Sequence, residues 1–266
     1  MKSRLIVAAI GVPILYLVLW SSFADSLLLA ILLAGAVGIA ALELCQMLRP
    51  QAPFVPAAFV PVGLAPLLAW QLSEPGIFLA MLAAVPLLMT FQGISVERAE
   101  PITSILATLM PVAYLAPAAG LAVVLRQSEH GFGILTLLIA SVFLNDTGAY
   151  TLGRMFGRHK LAPRISPNKS IEGFVGGVLV GTFVMWYGHF LVDTPEFSGK
   201  EAFGIGIAVA LVTPLGDLFE SLLKRSAGVK DSGAILGEHG GMLDRIDALV
   251  MAIPVMYVGC FFAGAL

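Results

Sequence analysis

Residues 221–247 read SLLKRSAGVKDSGAILGEHGGMLDRID, and they concentrate Lys224, Arg225, Lys230, Asp231, His239, Asp244, Arg245 and Asp247 around Gly228, Gly233, Gly237, Gly240 and Gly241. Lysine and arginine neutralise phosphates, and glycines let backbone N–H groups come close to them. Carboxylates hold Mg²⁺, which usually binds through one or two acids plus a substrate phosphate. Asp244 and Asp247 are three apart and share one face of a helix start. His239 has two readings: a base or ligand, or a loop residue that hydrogen-bonds ahead of Gly-Gly. The chain shows no Ser-His-Asp or Cys-His pairing, so these residues point to metal-assisted phosphoryl chemistry without a covalent intermediate.

Two more acids lie inside apolar runs. Asn145 and Asp146 follow Phe132 by about 13 residues, about 20 Å along a helix, and Asp217 follows Ala202 by about 22 Å. At these depths both acids reach the inner third of a bilayer, where an ionised carboxylate costs several kcal/mol unless it is paired, hydrated or metal-bound. Two acids at matching depth suggest one shared site. Glu43, near the inner end of the second apolar run, reads as an interfacial acid.

A second polar segment, 153–171, carries Arg154, Arg158, Lys160, Arg164 and Lys169. It ends in Ser166-Pro167-Asn168-Lys169-Ser170, good helix-start chemistry, and a helix N-terminus beside Lys169 suits a phosphate. Downstream, Gly173, Gly177 and Gly181 form a small-residue ridge that lets another helix approach closely, with packing inside the chain the expected use.

The elements that position these groups are membrane spans. Of the 266 residues, 58% are hydrophobic and 12% charged, which excludes a disordered, fibrous or nucleic-acid-binding chain and makes the bilayer the solvent. The net charge of −2 offers no polycation to nucleic acid. Apolar runs predict about nine spans, near 5–22, 26–45, 55–72, 76–92, 102–125, 132–152, 172–192, 202–219 and 248–265. The third and fourth are the weakest, interrupted by Pro56, Pro61, Pro66 and Pro86. A cytoplasmic N-terminus leaves only Arg126 and Lys200 of the 15 cations outside, so both polar segments face the cytoplasm. The expected fold is an all-α polytopic helical bundle. About five N-terminal spans occupy 1–130, and a catalytic membrane region occupies 131–266 with polar segments 153–171 and 220–247. Cys45 and Cys260 have no metal-like spacing and read as small core residues.

The run SxLKRx4KDxGx2LGxHGGxxDRxD, from Ser221 to Asp247, closely resembles the signature of CDP-diacylglycerol synthases, the phosphatidate cytidylyltransferases. The stretch NDTGAYTLGRMFGRHKLAPRISPNKSIEGFVGG is similar to the family's second conserved region. One departure is Gly237, where proline is common. The resemblance implies that CTP and phosphatidic acid give CDP-diacylglycerol and pyrophosphate at an inner-membrane enzyme requiring Mg²⁺. It implies Asp217 and Asp244 as metal ligands, with Asp231 and Asp146 next. Lys224, Arg225 and His239 join the catalytic set. Phosphate and substrate contacts fall to Lys169, Lys224, Arg225, Lys230 and Arg245, with Asn145, Ser221, Gly240 and Gly241 beside them. It also suggests a homodimer and a monovalent cation such as K⁺ beside Mg²⁺. A transporter or channel is the alternative, since intramembrane acids suit it equally. That reading expects charge along the whole path, whereas the outer halves of these spans are nearly charge-free. A phosphotransferase of the CDP-alcohol type needs a DGxxAR pattern, which the chain lacks.

Overall fold

The computed structural model describes residues 16–20, 26–92, 100–192, 197–233 and 240–266. Among the described residues are eight long helices: α1 (Leu27–Met47), α2 (Val55–Leu72), α3 (Glu74–Gln92), α4 (Pro101–Gln127), α5 (Gly131–Phe156), α6 (Ile171–Gly188), α7 (Gly199–Ser226) and α8 (Leu243–Phe262). All but α3 are long and apolar enough to cross a membrane, and α3 has a shorter apolar stretch over Glu74–Thr90. Eight of the nine expected spans thus appear as helices, and most of the first lies outside the described residues. Large side chains such as Phe78 (71% exposed) and Phe262 (81%) point outward, an arrangement that lipid makes favourable and water does not. The protein is an all-α polytopic membrane protein.

The chain divides into two compact units, the first comprising Met1–Gln127 with Ala227–Arg245 and the second Ser128–Ser226 with Ile246–Leu266. Residues 227–245, within the second polar segment, group with the N-terminal helices.

In the first unit α2 packs on α1, α3 and α4. It does so through Ala57, Ala58, Ala65 and Ala69, all fully buried; such small side chains let backbones approach where there is no hydrophobic drive between helices. Side chains of α4 satisfy the turn between α1 and α2. Thr108 Oγ1 accepts from Phe54 N at 2.8 Å, and Ser104 Oγ donates to Ala52 O at 2.6 Å. Arg126, expected on the outer side, donates from Nε to Leu19 O at 2.6 Å.

In the second unit α5, α6 and α7 pack together, and the glycine ridge serves that packing as expected. A Cβ at Gly173 would lie 2.6 Å from Ala149 O, one at Gly177 2.9 Å from Ala149 Cβ, and one at Gly181 3.2 Å from Ala210 Cβ. The polar segment between α5 and α6 folds into a small antiparallel hairpin of β1 (Lys160–Ala162) and β2 (Ser166–Ser170), in which Lys160 pairs with Ser170 and Ala162 with Ser166. The helix-start reading holds at its last residue, because Ser170 Oγ caps α6 by accepting from Gly173 N at 3.1 Å. Glu172, one turn on, accepts from the backbone N–H groups of Arg158 and His159 and pairs with His159 Nδ1 at 2.6 Å. These bonds hold the hairpin against the start of α6.

Candidate active site

α7 and α8 carry the central acids, and glycine lets them meet. Gly216 is buried where α7 passes α8, and a Cβ there would lie 2.6 Å from the Asp247 carbonyl oxygen, so the contact requires glycine. The next residue is Asp217. Its carboxylate lies with those of Glu220 and Asp247 so that one oxygen from each falls within 4.8 Å of the others. Three anionic oxygen donors at this spacing fit a hard divalent cation such as Mg²⁺ and offer nothing to a soft metal.

Two lysines partner this cluster. Lys169, on β2, places Nζ 2.6 Å from Asp217 Oδ2. Lys224, one turn beyond Glu220 on α7, places Nζ 2.5 Å from Glu220 Oε2, and Glu220 is only 1% exposed. Ser221 Oγ donates to Asp217 Oδ1 at 3.3 Å. Beside the acids opens a cleft of about 620 Å³, ample for a phosphate-bearing ligand. Asp146, Arg154, Lys169 and Asp217 supply its polar wall, and Phe174 and Pro214 belong to its apolar one.

Asn145, one of the expected substrate contacts, has its amide nitrogen engaged in the helix packing. Pro214 interrupts α7 and has no N–H to give to the carbonyl four residues back, that of Ala210. Asn145 Nδ2 donates to Ala210 O at 2.8 Å, and the residue is fully buried. It therefore satisfies the carbonyl that the proline strands, three residues after which α7 presents Asp217. Asn145→Leu should accordingly lower thermal stability by about 1–3 kcal/mol, the cost of an unsatisfied buried polar group. A thermal melt in detergent checks this, and an unchanged midpoint would refute it.

Of the remaining expected residues, Arg225 is exposed on α7 and its Nε reaches Ile165 O at 3.4 Å. Lys230, Asp231, Gly240, Gly241, Asp244 and Arg245 belong to the first unit. There Lys230, Asp231 and Arg245 are exposed. Asp244 Oδ2 accepts from Ser232 N at 2.9 Å, Ser232 Oγ at 2.9 Å and Gly241 N at 2.8 Å, closing the loop ahead of α8. Gly240 has φ 76°, a left-handed conformation that glycine adopts without strain, and a Cβ there would meet Asp244 Oδ2 at 2.7 Å. His239 lies outside the described residues. Glu220 was not singled out from the sequence. In LFESLLKR it reads as an ordinary helical i,i+4 partner of Lys224, and its only signal is the three-residue spacing from Asp217.

An acid cluster flanked by lysines, next to a cleft on a polytopic helical membrane protein, defines a site suited to phosphate chemistry. The model of the cytidylyltransferase family matches residues 2–263, and the chain belongs to that family. It is similar to proteins named phosphatidate cytidylyltransferase. One from Aquifex aeolicus (strain VF5) is 39% identical over 142 residues, covering 53% of this chain and 52% of that protein. One from Staphylococcus aureus (strain COL) is 41% identical over 150 residues, covering 56% of each. In both, the chain spans about half the length of its relative. One from Mycobacterium leprae (strain TN) is 31% identical over 245 residues, covering 85% of this chain and 78% of the relative.

Proposed function

We propose that the chain is a phosphatidate cytidylyltransferase, transferring CMP from CTP to phosphatidic acid to give CDP-diacylglycerol and pyrophosphate. The observation that carries this reading is the convergence of Asp217, Glu220 and Asp247, with Lys169 and Lys224 paired to them, at a cleft in a member of the cytidylyltransferase family. The relatives' names supply the substrate pair.

A phosphomonoester has its second pKa near 6, so phosphatidate arrives already ionised at neutral pH and needs no protein base. One of its oxygens attacks the α-phosphorus of CTP. The new P–O bond forms as the bond from that phosphorus to the bridging oxygen breaks, and the electron pair leaves with pyrophosphate. Lys169 and Arg154 line the cleft and hold phosphate oxygens by charge-assisted hydrogen bonds. Lys224 steadies Glu220 from the other side of the cluster. Asp217, Glu220 and Asp247 would hold Mg²⁺, with Asp244, Asp231 and Asp146 as further ligands inferred from the motif. When bound, Mg²⁺ supplies Lewis-acid stabilisation of charge on the phosphoryl oxygens. Lys224, Arg225, Lys230 and Arg245 complete the phosphate contacts inferred from the motif, and His239 stays a candidate in the same loop. A monovalent cation beside Mg²⁺ and a homodimer belong to the same inference.

The site faces the cytoplasm of the inner membrane in this reading, the side on which the positive-inside rule places nearly all the cations. Single cysteines at Arg164 and Asp231, both exposed positions, should then be shielded from an impermeant thiol reagent in intact cells and labelled after permeabilisation. Labelling of either in intact cells would refute this orientation. The activity itself is tested with the purified protein, phosphatidate in mixed micelles and each of the four ribonucleoside triphosphates. Incorporation from CTP alone is expected, and no incorporation from any of the four would overturn the reading.

A further inference from the structure

Among the described residues, Glu43 is the most buried carboxylate that this mechanism leaves unused. It sits in α1, 1% exposed, where an interfacial acid was expected. Its oxygens instead receive donors from nearly two hundred residues away. Met242 N donates to Oε1 at 2.9 Å, Leu243 N donates to Oε2 at 2.9 Å, and Ser232 Oγ lies 3.1 Å from Oε2. Met242 and Leu243 open α8, so Glu43 acts as a capping group supplied from another helix. The same Ser232 hydroxyl lies 2.9 Å from Asp244 Oδ2, bridging Glu43 to the motif aspartate.

Two motif glycines make room for this carboxylate. A Cβ at Gly233 would lie 2.5 Å from Glu43 Oε1, and one at Gly241 would overlap Ser232 Oγ and lie 2.5 Å from Glu43 Oε2. No real Cβ comes so close, and the obstructing atoms belong to a packed, hydrogen-bonded group that cannot swing away. Neither glycine needs a left-handed backbone, since the positive-φ glycines among the described residues are Gly228, Gly240 and Gly264. Glu43 explains the smallness of Gly233, and Glu43 together with the Ser232 hydroxyl bound to it explains that of Gly241. A buried carboxylate is costly unless it is hydrogen-bonded; the Met242 and Leu243 N–H groups give each Glu43 oxygen one donor, and the single Ser232 O–H proton is shared between Glu43 and Asp244.

We propose that Glu43 is a positioning residue for the reaction: it anchors the Ser232–Asp244 end of the polar loop and the first turn of α8, so that the motif residues Asp244 and Arg245 are held in one place. The role in turnover rests on the cytidylyl-transfer reading, whereas the anchor itself rests on geometry alone. The test uses the full-length protein in lipid nanodiscs and compares wild type with Glu43→Gln, which keeps the size but puts an N–H₂ where one donor must be accepted. Hydrogen exchange of peptides covering 240–248 should accelerate about tenfold or more, the scale of one lost buried acceptor. At the same time kcat per folded molecule should fall about tenfold with KM for CTP within about threefold. Gly233→Ala should accelerate the same peptides in the wild-type background and add little to Glu43→Ala, where the space has been vacated. Unchanged exchange in Glu43→Gln, or additive effects of Gly233→Ala and Glu43→Ala, would overturn the anchor. Faster exchange with kcat within about twofold of wild type would overturn the role in turnover. An inactive wild type showing the same exchange response would instead sink the cytidylyl-transfer reading and leave the anchor standing.

Discussion

Asp217→Asn is expected to assemble in the membrane and melt normally in the absence of metal, yet to lose at least about a hundredfold in turnover, the scale of removing one major electrostatic stabiliser. Three acids converge at Asp217, Glu220 and Asp247, and Asp217 also pairs with Lys169. Asparagine keeps the shape and one oxygen but removes the charge on which both a divalent cation and Lys169 depend. Folding should tolerate the change, because without metal the clustered carboxylates of Asp217, Glu220 and Asp247 repel one another, and removing one charge relieves that repulsion while giving up the pair with Lys169. Asp247→Asn should behave similarly, since it removes a second charge from the same cluster. The assay is Mg²⁺-dependent turnover of purified variants beside a thermal melt. Near-normal Mg²⁺-dependent activity in Asp217→Asn would remove that residue from the site.

Lys169→Met should lower kcat/KM for CTP by about tenfold to a hundredfold, the value of a charged hydrogen bond to phosphate, with much of the loss in KM. Lys169 is the cation that reaches the acid cluster from the hairpin, and it also lines the cleft, so it stands between the carboxylates and the space a phosphate would occupy. Lys169→Arg keeps the charge and should recover part of the loss, although its planar fork differs from a compact ammonium. Steady-state kinetics against CTP separates the two parameters. Unchanged KM and kcat in Lys169→Met would mean that the charge serves only membrane orientation.

The fold was legible where the bilayer dictates it. Apolar runs alone located the helices now seen as α1 through α8, because a helix in lipid must be long and apolar whatever it packs against. The largest misses are at the polar end of α7, seven residues longer than expected, and the start of α8, five residues earlier. The glycine ridge on α6 and the two deep acids, Asp146 and Asp217, were visible for the same reason. What stayed hidden depends on contacts between distant segments. Glu43 carries no local sign of burial, since its compensating donors are backbone N–H groups about two hundred residues on. Nothing beside Asn145 in the sequence announces its partner, which exists because Pro214 strands the carbonyl of Ala210 on another helix. Residues 166–170 carry helix-start chemistry, and nothing local announces their pairing with 160–162, which Glu172 flanks through its bonds to Arg158 and His159.

The central claim is that the site moves a cytidylyl group, and the label on CTP tests it most directly. Purified protein with phosphatidate and Mg²⁺ should carry ³²P into lipid from CTP labelled at the α-phosphorus. CTP labelled at the γ-phosphorus should release its label as pyrophosphate and leave the lipid unlabelled. Label entering lipid from the γ position, or from neither, would contradict the account.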